Sequence, residues 1–462
     1  MKKNFAKVFV LLFALLLTVA LVGCNNGTKF SYKDDYVIPV DGFDTTTDVE
    51  ITFEHTMGAT LQPVLEQALA SFKVLYPNIT VVSNSIGGYD EVKTDVSNKI
   101  YVTNAPDIAY CYPDHVALYN KTKAVVKLDQ LINDETYGFT QDQIDEFIPS
   151  YYGEGDDFED GAMYTLPFSK STEVLYYNKT FFEENNLTVP TTWAEMAATC
   201  AAIKVIDPKS VPLGIDSGAN VFIEYLEQAG APYTSATEPH FLFDNDTSES
   251  MLAMFKDWYN KGYVTTQGLF GTYTSALFVT IPETDTDISS YMSIGSSAGA
   301  THQCPEKINN EYPFEVGITS IPQVDPENPK VISQGPSVCI FKQSNPQRVL
   351  ASWLLVKYLT TDVAFQGSFS KESGYVPVVT TVNSNTSYST WLDSADGNAH
   401  LAALSVKVCL DQSDAYFTSP AFVGSSVART EVDSLFDAVI SGVKTYEQAM
   451  EDALAECEYQ AV

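Results

Sequence analysis

Residues 164–179 read YTLPFSKSTEVLYYNK, and the fold turns on how this stretch is read. Two apolar-aromatic runs, Thr165-Leu166-Pro167-Phe168 and Val174-Leu175-Tyr176-Tyr177, flank the small polar patch Ser169-Lys170-Ser171-Thr172. Pro167 argues against helix, and β-branched and aromatic residues favour strand. A buried hairpin accounts for the composition. So does a crossing, in which the chain leaves one globular lobe, leaves hydroxyls in a cleft, and enters a second lobe. The flanking sequence decides between them.

Upstream, residues 49–54 (VEITFE) form a short strand, followed by Leu61, Val64, Leu65, Ala68, Leu69 and Phe72 at helical spacing, ending before Pro77. Residues 79–82 are the next strand, Val92, Val96 and Ile100 line a second helix, and residues 107–112 make a third strand. Strand–helix alternation with right-handed crossovers gives a parallel sheet, whose ligands sit beyond the carboxyl ends of the strands. Those ends carry His55–Gly58, Gly87-Gly88-Tyr89-Asp90 and Tyr112-Pro113-Asp114-His115. The acidic run 154–160 (EGDDFED) lacks the ligand order and central Gly of a calcium loop and reads as a solvated turn.

Downstream, Thr192 and Glu195 form a capping box ahead of Met196, Ala197, Cys200 and Ile203. Met251, Leu252, Phe255 and Trp258 mark a helix that stops at Gly262. Strands are expected at 288–294, 316–321 and 338–341, a helix after Asn345-Pro346, and closing helices at 427–441 and 446–459.

The N-terminus has Lys2, Lys3 and Lys7, an apolar run from Val8 to Val22, and then Gly23-Cys24. The run is shorter than the roughly 20 residues of a spanning helix. Its order is that of a signal peptide, and a Gly before Cys here resembles a bacterial lipobox, with cleavage before Cys24 and acylation of its sulfur. An uncleaved anchor is the alternative. Residues 1–23 are thus expected to be a signal peptide, and 24–47 a polar tether outside the membrane. Removing the three lysines takes the net charge from −33 to −36, which disfavours nucleic acid. About 440 mature residues exceed what one core supports, so two lobes are expected. The remaining cysteines are scattered without CxxC or a Cys/His ladder, and no P-loop or GxGxxG occurs, so no metal or cofactor is expected.

Residues 161–196 (GAMYTLPFSKSTEVLYYNKTFFEENNLTVPTTWAEM), preceded by YPNITV and PDIAYCY and followed by ESGYVPV and ARTEVDSLF, resemble bacterial extracellular solute-binding proteins of the maltose/glycerol-3-phosphate class. The resemblance spans residues 49–456. It implies a periplasmic-binding-protein-like α/β fold, with two α/β lobes that close by a hinge on a ligand in the interlobe cleft. It also implies a monomeric receptor, anchored at Cys24 on the outer face of the cell membrane, that presents a sugar or polyol to an ABC permease. The lobes fall at 48–166 plus 324–361 and 167–323 plus 362–462. Position by position, the ligand-binding residues implied are Tyr89, Asp114, Ser171, Ser296 or Ser297, Gly335 and Tyr375. Hydroxyls suit polyol or phosphate oxygens, and a Tyr face stacks on a sugar ring.

Two departures bear on the ligand. The glycerol-3-phosphate branch has Glu where Pro113 stands, with Asp114 one residue later. Its phosphate-binding Arg is missing from residues 418–424 (TSPAFVG), and Arg348 and Arg429 read as helix-surface positions. A phosphate without a bidentate Arg loses a strong contact; Lys170 as a substitute point charge is one alternative, and a neutral sugar or polyol is the simpler inference. Gly295-Ser296-Ser297-Ala298-Gly299 also matches the G-x-S-x-G nucleophile elbow, with Asp393 and His400 available downstream. No oxyanion loop precedes it, so this is not read as an enzyme. A surface scaffold or adhesin is a third reading, and lacks saturable small-ligand binding.

Overall fold

The computed structural model describes residues 30–282 and 287–461, so the signal-peptide and Cys24 expectations lie outside the described residues. Two sheets organise the chain. The first has five strands in the order β2-β1-β3-β11-β4: β1 Val49–His55, β2 Ile79–Ser85, β3 Ile108–Cys111, β4 Leu166–Pro167 and β11 Ser337–Ile340. The second has seven: β5 Ser171–Asn178, β6 Leu213–Ile215, β7 Val264–Thr266, β8 Met292–Ser296, β9 Val316–Ser320, β10 Val331–Gln334 and β12 Tyr416–Phe417.

The opening stretch is a crossing. Leu166-Pro167 pairs with β11 in the first sheet, and three residues later Ser171–Asn178 runs antiparallel to β8, β9 and β10 in the second. The chain returns at Gly335-Pro336, between β10 and β11. Residues 331–334, assigned to the first lobe from sequence, therefore belong to the second sheet. Pro322, Pro326 and Pro329 precede β10 and so lie several residues before the crossing. The helix Val363–Ser373, assigned to the second lobe, packs Phe365 and Phe369 into the first lobe's core with Trp353 and Phe168. A third crossing follows it, where Lys170 and Val376 exchange backbone hydrogen bonds (Lys170 N to Val376 O, 3.3 Å; Val376 N to Lys170 O, 2.7 Å).

The helices form for local reasons visible in their sequences. Helix α1 (Gln62–Leu75) opens with a proline in its first turn and buries Leu65, Ala68 and Phe72. Helix α2 (Tyr89–Tyr101) places Asp90 and Glu91 at the positive end of its dipole. In α3 (Trp193–Ile206) the Thr192 hydroxyl accepts from Glu195 N, and Glu195 accepts from Thr192 N. Helices α4 (Gly218–Gln228), α5 (Asp246–Asn260), α6 (Ser425–Ile440) and α7 (Tyr446–Ala461) cover the second sheet. Phe222, Phe255, Val432, Phe436 and Met450 share its core.

Two expectations are corrected. The polar segment after Cys24 is not free of packing: from Phe30 on it lies against the first lobe, with Tyr32 and Tyr36 buried. Asn78 donates to the carbonyls of Asp44 and Thr47 there. Tyrosines spaced among polar residues have no periodicity to reveal this. The run 154–160 is not wholly solvated either, because Glu154 is buried against Lys170.

Lys170 is fully buried at the junction of the three crossings. Its ammonium donates to Glu154, to the Gly335 carbonyl (2.9 Å) and to Ser337 Oγ (3.1 Å), using all three protons. Gly335 has φ +100°, and a Cβ there would sit 2.6 Å from the Ser169 carbonyl oxygen, so the two crossings touch backbone to backbone. Removing one member of a buried ion pair leaves a desolvated charge, which costs about 3–5 kcal/mol, whereas apolar replacement of both is often neutral. Lys170→Met is therefore expected to lower unfolding stability by about 3–5 kcal/mol, and Lys170→Met/Glu154→Leu to recover more than half of that, measured by urea denaturation.

Candidate functional site

The loops at the carboxyl ends of β1 to β3 face the second sheet across a cleft. Two cavities, of about 310 and about 730 Å³, share Tyr112, Ser217, Asn220 and Gln334 in their walls and so are two ends of one cleft. From the first lobe come Tyr89, at the start of α2, and Tyr112 and Asp114, at the start of the helix Pro113–Tyr119. The second lobe supplies Asp216 and Ser217 after β6, Asn220 in the first turn of α4, Ser296 at the end of β8, and Arg429 at the start of the second turn of α6.

Of the residues implied by resemblance, Tyr89 and Asp114 line the smaller cavity, and Ser171, Ser296 and Tyr375 the larger. Tyr89 and Tyr375 join hydroxyl to hydroxyl at 3.1 Å, linking the first lobe to the third crossing. Tyr89 also stacks on Tyr110 and meets Tyr112 edge-on, so the aromatic wall is held rigidly. Ser297 and Gly335 are not cleft residues. Ser297 is buried behind the floor, where its hydroxyl accepts from Thr172 N at 3.1 Å, and Gly335 belongs to the crossing.

Sequence reasoning missed the central cation. Arg429, expected on a helix surface, lines the smaller cavity. Its guanidinium donates to Asn220 Oδ1, and the Gln334 amide lies against it, its oxygen accepting at 3.1 and 3.3 Å when the amide is turned to the orientation its neighbours satisfy. Both partners are neutral amides, and among the described residues no carboxylate forms an ion pair with Arg429. By contrast Lys93 is paired with Asp90, and Lys170 is buried with Glu154 and so cannot serve the ligand. Arg348 is no free surface residue either, since it pairs with buried Asp107 at 2.6 Å. Arg429 lies next to Ala428, which is buried with Val432 and Leu435, and a place beside an apolar stripe gives no sequence signal that separates a cleft residue from a surface one.

The larger cavity is acidic. Glu173 on β5 is buried, with one carboxylate oxygen accepting from Asn220 Nδ2 at 2.7 Å and the other, Oε2, without a partner. Burial pushes its pKa up to about 7, against the pull of Asn220 and Arg429. Asp216 accepts from the Thr274 backbone N and hydroxyl, and Asp433 from Ala219 N.

A deep cleft between two α/β lobes, with tyrosines, hydroxyls, amides and one guanidinium held by amides, defines a small-molecule binding protein of the two-lobed kind. Residues 67–396 match the profile of the bacterial extracellular solute-binding proteins, and this chain belongs to that family. It is 23% identical over 422 residues to the sn-glycerol-3-phosphate-binding periplasmic protein UgpB of Salmonella typhimurium, covering 87% of this chain and 90% of that protein. Two solved structures share its fold at TM-score 0.70. The cyclic alpha-maltosyl-1,6-maltose binding protein of Arthrobacter globiformis is 18% identical, with 90% of this chain and 99% of that one covered. UgpB of Mycobacterium tuberculosis, in complex with glycerophosphocholine, is 15% identical, with 89% and 98% covered.

Glu173 gives a pH signature. Its folded pKa, about 7, lies above the ordinary glutamate value, so its contribution to stability is full in acid and lost as pH rises through 7. Glu173→Gln, which keeps the shape and the bond from Asn220, is therefore expected to stabilise the protein by about 2 kcal/mol at pH 8. The gain should vanish by pH 4, read by denaturant titration at the two pH values.

Proposed function

We propose that this chain is the solute receptor of an ABC importer that captures an anionic polyol or sugar derivative of the glycerol-phosphate type by closing its two lobes. The observation that carries the reading is Arg429, a cleft guanidinium held in place by the neutral amides of Asn220 and Gln334, with no direct ion pair to a carboxylate among the described residues. Such a group offers two N–H donors to a phosphate, and a charge-assisted pair of this kind is about twice as strong as a neutral one. The ligands of similar proteins, sn-glycerol-3-phosphate and glycerophosphocholine, support the same class. A neutral sugar, which an Arg-free cleft had suggested, is the weaker reading once Arg429 lines the site.

The receptor works as a monomer on the outer face of the membrane, tethered through acylated Cys24. It is not an enzyme. The Ser297 hydroxyl is buried and bonded to Thr172 N, Ser296 Oγ accepts from Ala298 N, and Asp393 and His400 are both exposed. These placements speak against a Ser–His–Asp arrangement on the GSSAG run.

Calorimetric titration of the full chain in detergent with glycerol-3-phosphate is expected to give saturable binding. Arg429→Gln should weaken it about 10- to 100-fold. Absence of any binding by either protein, with unchanged melting temperature, would return weight to a scaffold. In cell fractionation, Cys24→Ala should move the protein from the membrane to the soluble fraction.

A further inference from the structure

Arg429 and Glu173 hold opposite ends of one amide. Asn220 Oδ1 accepts from the guanidinium, and Asn220 Nδ2 donates to Glu173 Oε1 at 2.7 Å. The other carboxylate oxygen, Glu173 Oε2, has no partner among the described residues and is sealed from solvent, and the residue is only 2% exposed. No ligand atom reaches that oxygen in this structure. A proton can, because local openings of the chain admit exchange at buried groups.

A second carboxyl lies close by. Glu224, one turn along α4 from Asn220, is fully buried. Its Oε1 accepts from Ile332 N at 2.9 Å, and its Oε2 is likewise without a partner. Burial, and then the charge of Glu173, hold its pKa well above the usual glutamate range, because two neighbouring buried carboxyls do not both ionise cheaply. Glu224 therefore keeps its proton, and Glu173 is the member of the pair that titrates near neutrality.

The groups around Glu173 oppose one another. Burial raises its pKa most, the Asn220 hydrogen bond lowers it, Asp216 from the loop after β6 raises it, and Arg429 from α6 lowers it. His302, in the turn after β8, acts on Asp216. Asp433, one turn on from Arg429, is bonded to Ala219 N and is itself drawn down by Arg429. Strands β8, β9 and β10, which pair with β5, bring no charged side chain. Arg429 is thus the cation that steadies the ionised form of Glu173. An anion set against the guanidinium offsets that pull, and the carboxylate then favours protonation.

We propose that anion capture in the cleft is proton-linked: as the anion meets Arg429, a proton from solvent forms an O–H bond on Glu173 Oε2, and Asn220 joins the two sites. This rests on the proposed anion-binding role of Arg429. By linkage the anion binds more tightly while Glu173 is protonated, so affinity is highest in acid and falls as pH rises through about 7.

Calorimetry on the full chain in detergent tests this with glycerol-3-phosphate and glycerophosphoglycerol. The second is a phosphodiester whose charge is constant near neutrality, so protons taken up belong to the protein. Its binding heats at pH 7, in cationic buffers of different ionisation heat, are expected to show net proton uptake. Its affinity should fall about three- to tenfold from about pH 5.5 to about pH 8.5, the equivalent of about half to one pKa unit. Glu173→Gln should abolish the uptake and flatten the pH profile. With glycerol-3-phosphate, whose own phosphate titrates, the uptake that Glu173→Gln removes is the quantity read. Without ligand, Arg429→Gln should move the pH at which the Glu173→Gln stability gain levels off upward by about half a unit or more. Binding without uptake, uptake that survives Glu173→Gln, or a plateau that Arg429→Gln does not move overturns the linkage and leaves the anion site standing. If neither probe binds and neither shifts the melting temperature, the linkage and the proposed function fall together.

Discussion

Everything in this fold passes through the environment of Lys170. One buried ammonium ties the first crossing, which carries it, to the second through the Gly335 carbonyl and to Glu154 of the first lobe. Its backbone pairs with Val376 of the third. Three strands that lead from one sheet to the other are thereby held in a single register. Burying a charge is expensive, and the cost is met only because every proton finds an acceptor. A lobe movement must pivot about this knot and cannot pull it apart. The cleft walls on either side, Tyr375 from the third crossing and Ser171 from the first, are placed by the same bonds.

The cleft divides its chemistry between the lobes. The first lobe contributes a stiff aromatic wall in which Tyr89, Tyr110, Tyr112 and Tyr375 brace one another. The second contributes the polar groups, on loops and early helical turns. Arg429 and Glu173 sit on opposite sides of Asn220, whose amide oxygen accepts from one and whose nitrogen donates to the other. Asn220 thus keeps the charges apart without cancelling either. A direct salt bridge would have closed the site electrostatically.

The architecture was readable from the chain because it rests on periodicity and punctuation. Alternating strands and amphipathic helices, the Thr192/Glu195 capping box and the Pro167 break all act locally, so they identify the elements without tertiary information, whereas the first crossing, which a buried hairpin matches in composition, came from the family resemblance. What failed depended on long-range partners. Glu154 and Lys170 are 16 residues apart but Lys170 and Ser337 are separated by 167, and no local pattern marks such a set as buried. Arg429 was taken for surface because a charged residue beside an apolar stripe usually is. Its helix begins at the cleft rim, which only the assembled lobes show. Ser297 failed the other way: two adjacent serines looked equivalent, yet the turn after β8 sends one into the cleft and the other behind it.

The account stands most directly on where an anion sits. A crystal structure of the protein grown with glycerol-3-phosphate should place the phosphate within about 3 Å of the Arg429 guanidinium, between the tyrosine wall and α6. A ligand bound in the cleft with its phosphate turned to solvent, or held by other residues with Arg429 uninvolved, would contradict it.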